Sequence, residues 1–484
     1  MSLRKSYFFS FSRVGGQGII QFLANVILAR LLAPDEVGLF VLAFALIATF
    51  ASVRDFGVPR YILMEKDLTY TKMQTAFGIA LISGWGLGLC FLLSSHFVAD
   101  FYGDERLVGV MYVLSATFLF LPFGQIALAL LRRNEEHRTL ALITLTSSFA
   151  GTLVSVALAA WGLGALSMAY GNLCTVMVMV AGALKAVPTH IAMRPSLVNW
   201  RPVFGFSALT MIGVMAGQFK MYAPSLLIGR VVGLSATGLY HRAFSVLQFF
   251  TGTMITSTNW VTGANIGKRF RAGEDISGIF TASTSFLIAV GWPAYFLIAL
   301  QAKPIILLLY GPTWLPAAEL LPPLCLASAT MLMLSQASSI YEGIGASKVF
   351  VRNNIIILLI MVLSILFFSQ GEIVRIAWIV FFTNIVAAIL DLWTVNKIAH
   401  IDYLRFAKGI SKSVFVSVTT GCLVFAIDAF VPDELEYSIF ANFGEIMIFV
   451  TSYLVLCYAV KHPILEELSF LINKLRAYLE IRLG

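Results

Sequence analysis

The sequence predicts an all-α membrane protein of about 14 transmembrane helices, two pseudo-symmetric six-helix bundles plus two extra C-terminal helices. Three observations predict it. Of 484 residues, 59% are hydrophobic and only 12% charged, with a mean hydropathy of +0.87, whereas a soluble chain carries about 25% charged residues. The apolar residues gather in windows of about 20, the length that crosses a bilayer core. A segment of the first half recurs 200 residues later. So little charge cannot cover a water-soluble body, which excludes a soluble enzyme, a disordered scaffold and a secreted disulfide domain.

The expected spans run near 8–31, 37–53, 73–99, 108–131, 139–161, 164–184, 203–229, 237–262, 278–301, 316–341, 349–369, 376–396, 413–431 and 438–460. Residues Met1 to Ser12 are followed by no A-x-A site, so they are expected to open the first span. Loop charge tests the count. With the N-terminus in the cytoplasm, 25 of the 33 Lys and Arg fall in inside segments and 5 in outside loops, alternating without a failure. Both termini are then expected in the cytoplasm. The basic excess is a topology signal, since the cations lie in short loops and form no nucleic-acid patch. With Arg30 and Arg352, at the ends of their spans, counted among the loop cations, three cations remain inside spans: Arg13, Lys220 and Arg242.

The stretch 463–484 is too polar to span. Its apolar residues recur at helical spacing, which predicts an amphipathic helix on the cytoplasmic face. The five cysteines (Cys90, Cys174, Cys325, Cys422, Cys457) lie in apolar runs with no CxxC, and read as small apolar side chains without disulfide or metal.

The repeat aligns Ala29-Arg30-Leu31-Leu32-Ala33-Pro34-Asp35-Glu36-Val37-Gly38-Leu39-Phe40 with Gly229-Arg230-Val231-Val232-Gly233-Leu234-Ser235-Ala236-Thr237-Gly238-Leu239-Tyr240. Further on, Tyr102-Gly103 matches Tyr310-Gly311, Ser115-Ala116-Thr117 matches Ser328-Ala329-Thr330, and Gln125 matches Gln336. The expected organisation is a six-helix bundle over 1–190, its repeat over 200–400, two added spans over 405–462 and the surface helix over 463–484. Six spans return the chain to its starting side, so the copies are parallel repeats. Many transporters are built this way, with a substrate path between halves that rock against each other.

The polar residues of the spans are the candidate site. Arg13, Gln17, Gln21 and Asn25 recur every fourth residue and stack on one stripe of span 1. That stripe either lines a wet cavity or bonds a neighbouring helix. Lys220 is about nine residues from the outer end of span 7, near mid-membrane at 1.5 Å per residue. An ammonium there costs at least about 2.5–3.5 kcal/mol unless water or an anion meets it. Arg242 lies in the outer third of span 8, with Ser245 and Gln248 on a similar face; Arg13 lies in the inner third of span 1. Both arginines either snorkel or face the path. A ladder of cations at inner, middle and outer depth suits an anionic passenger. Arg30 and Arg230 close matching spans, where cations cap helix C-termini. Arg54-Asp55 ends span 2 as a local pair at a cavity mouth, with Arg54 a candidate substrate contact.

No GxxxxGK[ST] occurs, and Gly84-x-Gly86-x-Gly88 lies mid-helix with no strand before it, so neither is a nucleotide site. The largest outside loop, 302–315, is too short for a catalytic domain, the six His form no HExxH, and no cofactor is expected.

Ser12-Arg13-Val14, the Ala33-Pro34-Asp35-Glu36-Val37-Gly38 run, Arg54-Asp55-Phe56-Gly57 and Tyr310-Gly311-Pro312-Thr313-Trp314-Leu315-Pro316-Ala317-Ala318 together resemble the polysaccharide transporter family. That family lies within the multidrug/oligosaccharidyl-lipid/polysaccharide flippase superfamily. The resemblance is to exporters of the succinoglycan and colanic acid type. It implies two bundles in a V that open alternately. It also implies flipping of an undecaprenyl-diphosphate-linked oligosaccharide across the bacterial inner membrane, for exopolysaccharide or lipopolysaccharide biosynthesis. Expected partners are that lipid-linked oligosaccharide, membrane lipids, a polysaccharide polymerase and a chain-length regulator, and no nucleic acid. Relatives that flip the peptidoglycan precursor use cavity arginines on spans 1, 2 and 8, and Arg13 falls near one such position. Two rivals stay open: a cation-coupled multidrug antiporter on the same fold, which wants a buried acid, and a membrane polysaccharide polymerase or ligase, which wants a large outside loop.

Overall fold

In a computed structural model of the chain, the described residues are 3–50, 53–54, 57–188, 194–198, 200–272, 274–333, 335–399, 403–428 and 439–465; at some of these, including 3–14, 201–211 and 256–265, the description stops at the backbone. Among the described residues the chain is helical and holds no strand. The helices are α1 (Leu3–Leu31), α2 (Pro34–Thr49), α3 (Val58–Met64), α4 (Tyr70–Tyr102), α5 (Arg106–Arg133), α6 (His137–Ala160), α7 (Ala165–Ala186), α8 (Trp200–Val231) and α9 (Leu234–Arg271). Then follow α10 (Ser277–Leu300), α11 (Ala302–Tyr310), a 3₁₀ segment (Pro312–Leu320), α12 (Leu321–Met333), α13 (Ala337–Ile344), α14 (Ser347–Phe368), α15 (Ile373–Ala399), α16 (Tyr403–Asp428) and α17 (Ile439–Ala459).

Helix stands at every expected span. Among the described residues nine helical stretches are long and apolar enough to cross a membrane by length and composition. The chain is therefore a multi-pass membrane protein, and its full span count stays an expectation. Two differences from the sequence reading are physical. Residues 302–315, read as a loop, form α11 and the start of the 3₁₀ segment, joined at Gly311 with φ +93. The tenth span, read as one run over 316–341, is broken after α12. There the Ser335 hydroxyl donates to the Leu332 carbonyl at 3.0 Å and that of Ser338 to the Ser335 carbonyl at 3.0 Å, side-chain bonds that compete with the helical ladder. Of the expected surface helix over 463–484, residues 463–465 are described and the rest lies outside the described residues.

Packing divides the chain into two compact units, and the division follows contacts and not the repeat. The first comprises Met1–Ser245, Leu309–Ala317 and Ser347–Ile379; the second comprises Val246–Leu308, Ala318–Ala346 and Val380–Gly484.

In the first unit, Leu39, Leu42 and Ile47 of α2 pack with Phe91 and Ala99 of α4, Met111, Leu114 and Phe118 of α5, and Ala169 of α7. The glycine run explains how α4 and α5 come so close. A Cβ on Gly84 would stand 2.8 Å from Pro122 Cγ, and one on Gly88 2.9 Å from Phe118 Cβ. Small residues likewise join α6 to α7, where Gly151 faces Thr175 and Gly171 faces Ser155, the small-residue packing that membrane helices use.

The Pro34-Asp35-Glu36 turn is an anchor at the expected periplasmic end. Pro34 starts α2 where no N–H is needed. Glu36 accepts from the Ala165 backbone N–H at 2.5 Å, capping α7, and from Arg106 Nη1 at 2.8 Å. Arg106 also binds Asp35 at 3.2 Å and Asp104 at 2.8 Å. Its guanidinium holds the Asp104 carboxyl below the usual carboxylate range. At the opposite end Arg133 Nη1 donates to the Glu65 carbonyl at 2.6 Å, and Lys72 Nζ to the Glu65 carboxylate at 2.7 Å, which lowers the Glu65 pKa.

The repeat leaves a mark here. A Cβ on Gly38 would lie 1.8 Å from the Leu234 carbonyl oxygen, and one on Gly238 2.0 Å from that of Pro34. The two contacts are images of each other, since Pro34 aligns with Leu234 and Gly38 with Gly238. The packing of α1 on α6 likewise recurs as that of α8 on α14.

In the second unit, Trp292 Nε1 of α10 donates to the Ala329 carbonyl of α12 at 3.0 Å, and Tyr295 shares a hydrogen bond with Thr251 of α9 at 2.6 Å. Ala289, Val416, Cys457 and Ile464 bring α10, α16 and the end of α17 together. His462 closes this joint through Ser413, at 2.9 Å.

Candidate functional site

The predicted residues divide by helix. Of the span 1 stripe, Gln17 is half-buried, Gln21 is exposed and Asn25 is half-buried on α1. Arg13 is helical in backbone, and its side chain lies outside the described residues, as does Asp55. Arg54 is half-buried with its guanidinium 5.8 Å from the centre of the Phe118 ring, and its carbonyl accepts from Ser83 at 2.7 Å. Gln248 is half-buried and belongs to the second unit.

Lys220 is half-buried on α8, and its Nζ donates to Asn354 Oδ1 of α14 at 2.9 Å. The amide must present its oxygen, because its nitrogen would set donor against donor. Asn354 is 6% exposed, and its buried Nδ2 has no hydrogen-bond partner among the described residues. Next to it Arg352 Nη2 donates to Asn353 Oδ1 at 3.1 Å. Sequence reasoning counted Arg352 among the loop cations and passed over both asparagines; the structure places all three in the first two turns of α14. The run Arg352-Asn353-Asn354 opening an apolar span was the available signal. This cluster is rich in N–H donors, and its chemistry suits oxygen atoms of an anion.

Arg242 departs from the snorkelling alternative. It is 0% exposed. Its guanidinium lies 5.7 Å from the Tyr310 ring centre and 5.3 Å from that of Trp314, the cation–π range. Nη1 donates to Asn25 Oδ1 at 3.1 Å, which joins the outermost residue of the α1 stripe to α9. Nε and Nη2 are buried and have no hydrogen-bond partner among the described residues. The two rings, four residues apart across Gly311-Pro312, were legible only as part of a resemblance. Aromatics at that spacing beside an intramembrane arginine were the missed signal.

Arg30 and Arg230 hold matching places. Arg30 Nε donates to the Leu309 carbonyl at 3.3 Å, while Arg230 lies 5.1 Å from the ring centre of Phe101, the residue that aligns with Leu309. Asp391, an acid at the expected cytoplasmic end of α15, accepts from the Tyr341 hydroxyl at 3.0 Å. Among the described residues no group of His, Cys, Asp and Glu could hold a metal ion.

Comparison with known proteins agrees with this architecture. The chain is 21% identical over 396 residues to the teichuronic acid biosynthesis protein TuaB of Bacillus subtilis, covering 78% of each. It is 23% identical over 339 residues to the succinoglycan biosynthesis transport protein ExoT of Rhizobium meliloti, covering 70% of this chain and 68% of that one. Its fold matches the lipid II flippase MurJ in an inward closed conformation with a TM-score of 0.77 at 14% identity, over 96% of this chain and 99% of that one. An inward-facing multidrug transporter of the MOP superfamily matches with a TM-score of 0.62 at 15% identity, over 79% of this chain and 95% of that one. The model of the polysaccharide biosynthesis protein family matches residues 27–319, more than half of the sequence, and the chain belongs to that family.

Proposed function

We propose that the protein is a flippase that carries a polyprenyl-diphosphate-linked oligosaccharide across the bacterial inner membrane by alternating access. The observation that carries this reading is the pairing of a helical membrane fold in a polysaccharide biosynthesis family with an intramembrane cation, Lys220, that donates to the Asn354 amide oxygen. An anionic passenger gains most from such a group, because a diphosphate oxygen accepts from ammonium and amide donors together. The lipid II flippase match runs over 96% of the chain, the multidrug transporter match over 79%. That difference favours the flippase.

The diphosphate docks at Lys220 in this reading, with Arg13 and Arg54 as further contacts and Gln17, Gln21 and Asn25 as sugar-facing amides. The two six-helix copies supply the moving halves, and the polyprenyl tail stays in lipid. An inside-negative potential favours outward movement of the anion by about 2.3 kcal/mol per charge per 100 mV. Both termini are cytoplasmic, and the protein is a carrier and not an enzyme. A polymerase and a chain-length regulator act on the delivered unit.

The test is transport by purified protein in liposomes loaded with a fluorescent polyprenyl-diphosphate oligosaccharide, read by a glycan-cleaving enzyme added outside. Protein-dependent exposure of the glycan is expected. Absence of exposure, together with efflux of cationic dyes from a sensitised strain, would replace this reading by the multidrug antiporter.

A further inference from the structure

The segment Leu309–Ala317 groups by its contacts with the first unit, while the chain before it and after it groups with the second. Five contacts hold it. Trp314 Nε1 donates to the Ala29 carbonyl at 2.7 Å, in the last turn of α1, where carbonyls lack helical partners. Arg30 Nε donates to the Leu309 carbonyl at 3.3 Å. Tyr310 and Ser245 share a hydrogen bond at 3.1 Å. The Tyr310 and Trp314 rings both flank the Arg242 guanidinium, and Trp314 is 0% exposed.

Beneath this segment Arg242 is fully enclosed, with Nη1 on Asn25 and with Nε and Nη2 unsatisfied among the described residues. A buried guanidinium with two idle donor nitrogens is a costly arrangement. Nε and Nη2 are also adjacent prongs of the planar fork, spaced to take two oxygens of one phosphate or carboxylate. The closed arrangement is thus one that an oxyanion can compete against.

We propose that Leu309–Ala317 is a strap held closed over Arg242 within the first unit, and that an oxyanion of the passenger unlocks it by taking the Nε and Nη2 donors of Arg242. The strap breathes, the anion binds only the lifted form, and binding shifts the population toward it. The proposal rests on the lipid-diphosphate reading above and adds when Arg242 is used: on the release side, after the strap lifts. Tyr310 and Trp314 are positioning residues in this scheme, since they hold the guanidinium until an anion replaces them.

Hydrogen–deuterium exchange on the full chain in nanodiscs tests it, with peptides covering 24–33 and 309–317 read against the Asp104–Arg106 turn as an internal control. The probes are farnesyl diphosphate, inorganic diphosphate and farnesol. Either diphosphate is expected to speed exchange in both segments about fivefold or more, the lower end of ordinary site coupling. A response to farnesyl diphosphate alone assigns the ligand to a lipid diphosphate; a response to both assigns it to the diphosphate group. Trp314→Phe, which keeps a ring and loses the N–H, is expected to speed exchange about fivefold without ligand, the worth of one ordinary hydrogen bond. Arg242→Gln is expected to abolish the response to diphosphate. Unchanged segments at saturating diphosphate overturn the proposal, as does an equal response to farnesol, a parent-like response in Arg242→Gln, or parent-like exchange in Trp314→Phe. Transport in liposomes with no strap response sinks the strap alone; no transport sinks the flippase reading.

Discussion

Gly38 and Gly238 lie 200 residues apart in the chain and meet at the crossing of α2 and α9, each against the backbone of the other's helix. A Cβ on Gly38 would stand 1.8 Å from the Leu234 carbonyl oxygen, and one on Gly238 2.0 Å from the Pro34 carbonyl oxygen. Those neighbours are backbone, so they cannot turn aside as a side chain could. Gly38→Ala and Gly238→Ala are each expected to cost about 1–3 kcal/mol, the usual price of overpacking. The double variant is expected to cost less than the sum, because one displacement of α9 relieves both clashes. Denaturation midpoints of the purified single and double variants check this; additive losses would show that the sites do not share one crossing.

Lys220 and Asn354 give the second prediction. Removing the ammonium in Lys220→Met is expected to lower polysaccharide export about tenfold or more, equivalent to about 1.4 kcal/mol of lost interaction. Protein levels should stay normal, since an apolar side chain of similar length suits the bilayer. Lys220→Arg keeps the charge and should retain more export than Lys220→Met. Asn354→Leu removes the acceptor at 2.9 Å and the idle Nδ2 together, so its effect should fall on export more than on stability. Export measured in a strain lacking its own copy, beside membrane protein levels, settles the matter. Parent-like export by Lys220→Met would remove Lys220 from the path.

The fold was readable because hydrocarbon imposes a coarse rule, about 20 apolar residues per crossing, and α4 through α7 follow it with hardly a charge. The site was less readable, because polar contacts in a membrane are made between helices far apart in sequence. Lys220 stood out as an isolated charge, yet nothing in its own span pointed to Asn354, 134 residues away. Arg242 stood out too, but its cage comes from Tyr310 and Trp314 in the stretch around 302–315, read as an outside loop. Arg352 was hidden by its place near a helix start, where a loop cation is the ordinary reading.

The Arg106 anchor should behave as a network. Arg106→Gln leaves Asp35, Glu36 and Asp104 without their shared cation, and these groups are partly exposed. The expected loss is about 1 kcal/mol or less after solvent screening, smaller at high salt. Because the guanidinium depresses the Asp104 pKa, this stability is present above the unfolded value of about 3.9 and is lost as pH falls through the lower folded value. Denaturation of parent and Arg106→Gln at two salt concentrations at pH 7 checks the prediction; a salt-independent difference would mean that the side chain acts by packing.

His462 provides the pH-dependent joint. It is 4% exposed, its Nδ1 accepts from the Ile464 backbone N–H at 3.1 Å, and its Nε2 meets Ser413 at 2.9 Å. Acceptance at Nδ1 fixes the tautomer, so the ring proton sits on Nε2 and is donated to Ser413. A second proton would have to enter at Nδ1, facing an N–H that already donates there. Burial and the nearby Lys412 cation both push the His462 pKa below its usual value. A depressed folded pKa means that the unfolded chain binds more protons in acid. The contribution is therefore complete above the unfolded value of about 6.5 and declines as pH falls from there toward the folded value. Thermal unfolding of the parent should lose stability between neutral pH and pH 5, and His462→Gln should lose less over the same interval. Because carboxylates outside this joint titrate alike in both proteins, the difference between the two curves isolates His462. Parallel curves would show that His462 takes up its proton alike in the folded and the unfolded chain, so that it contributes no pH-dependent stability to the joint at Val416 and Cys457.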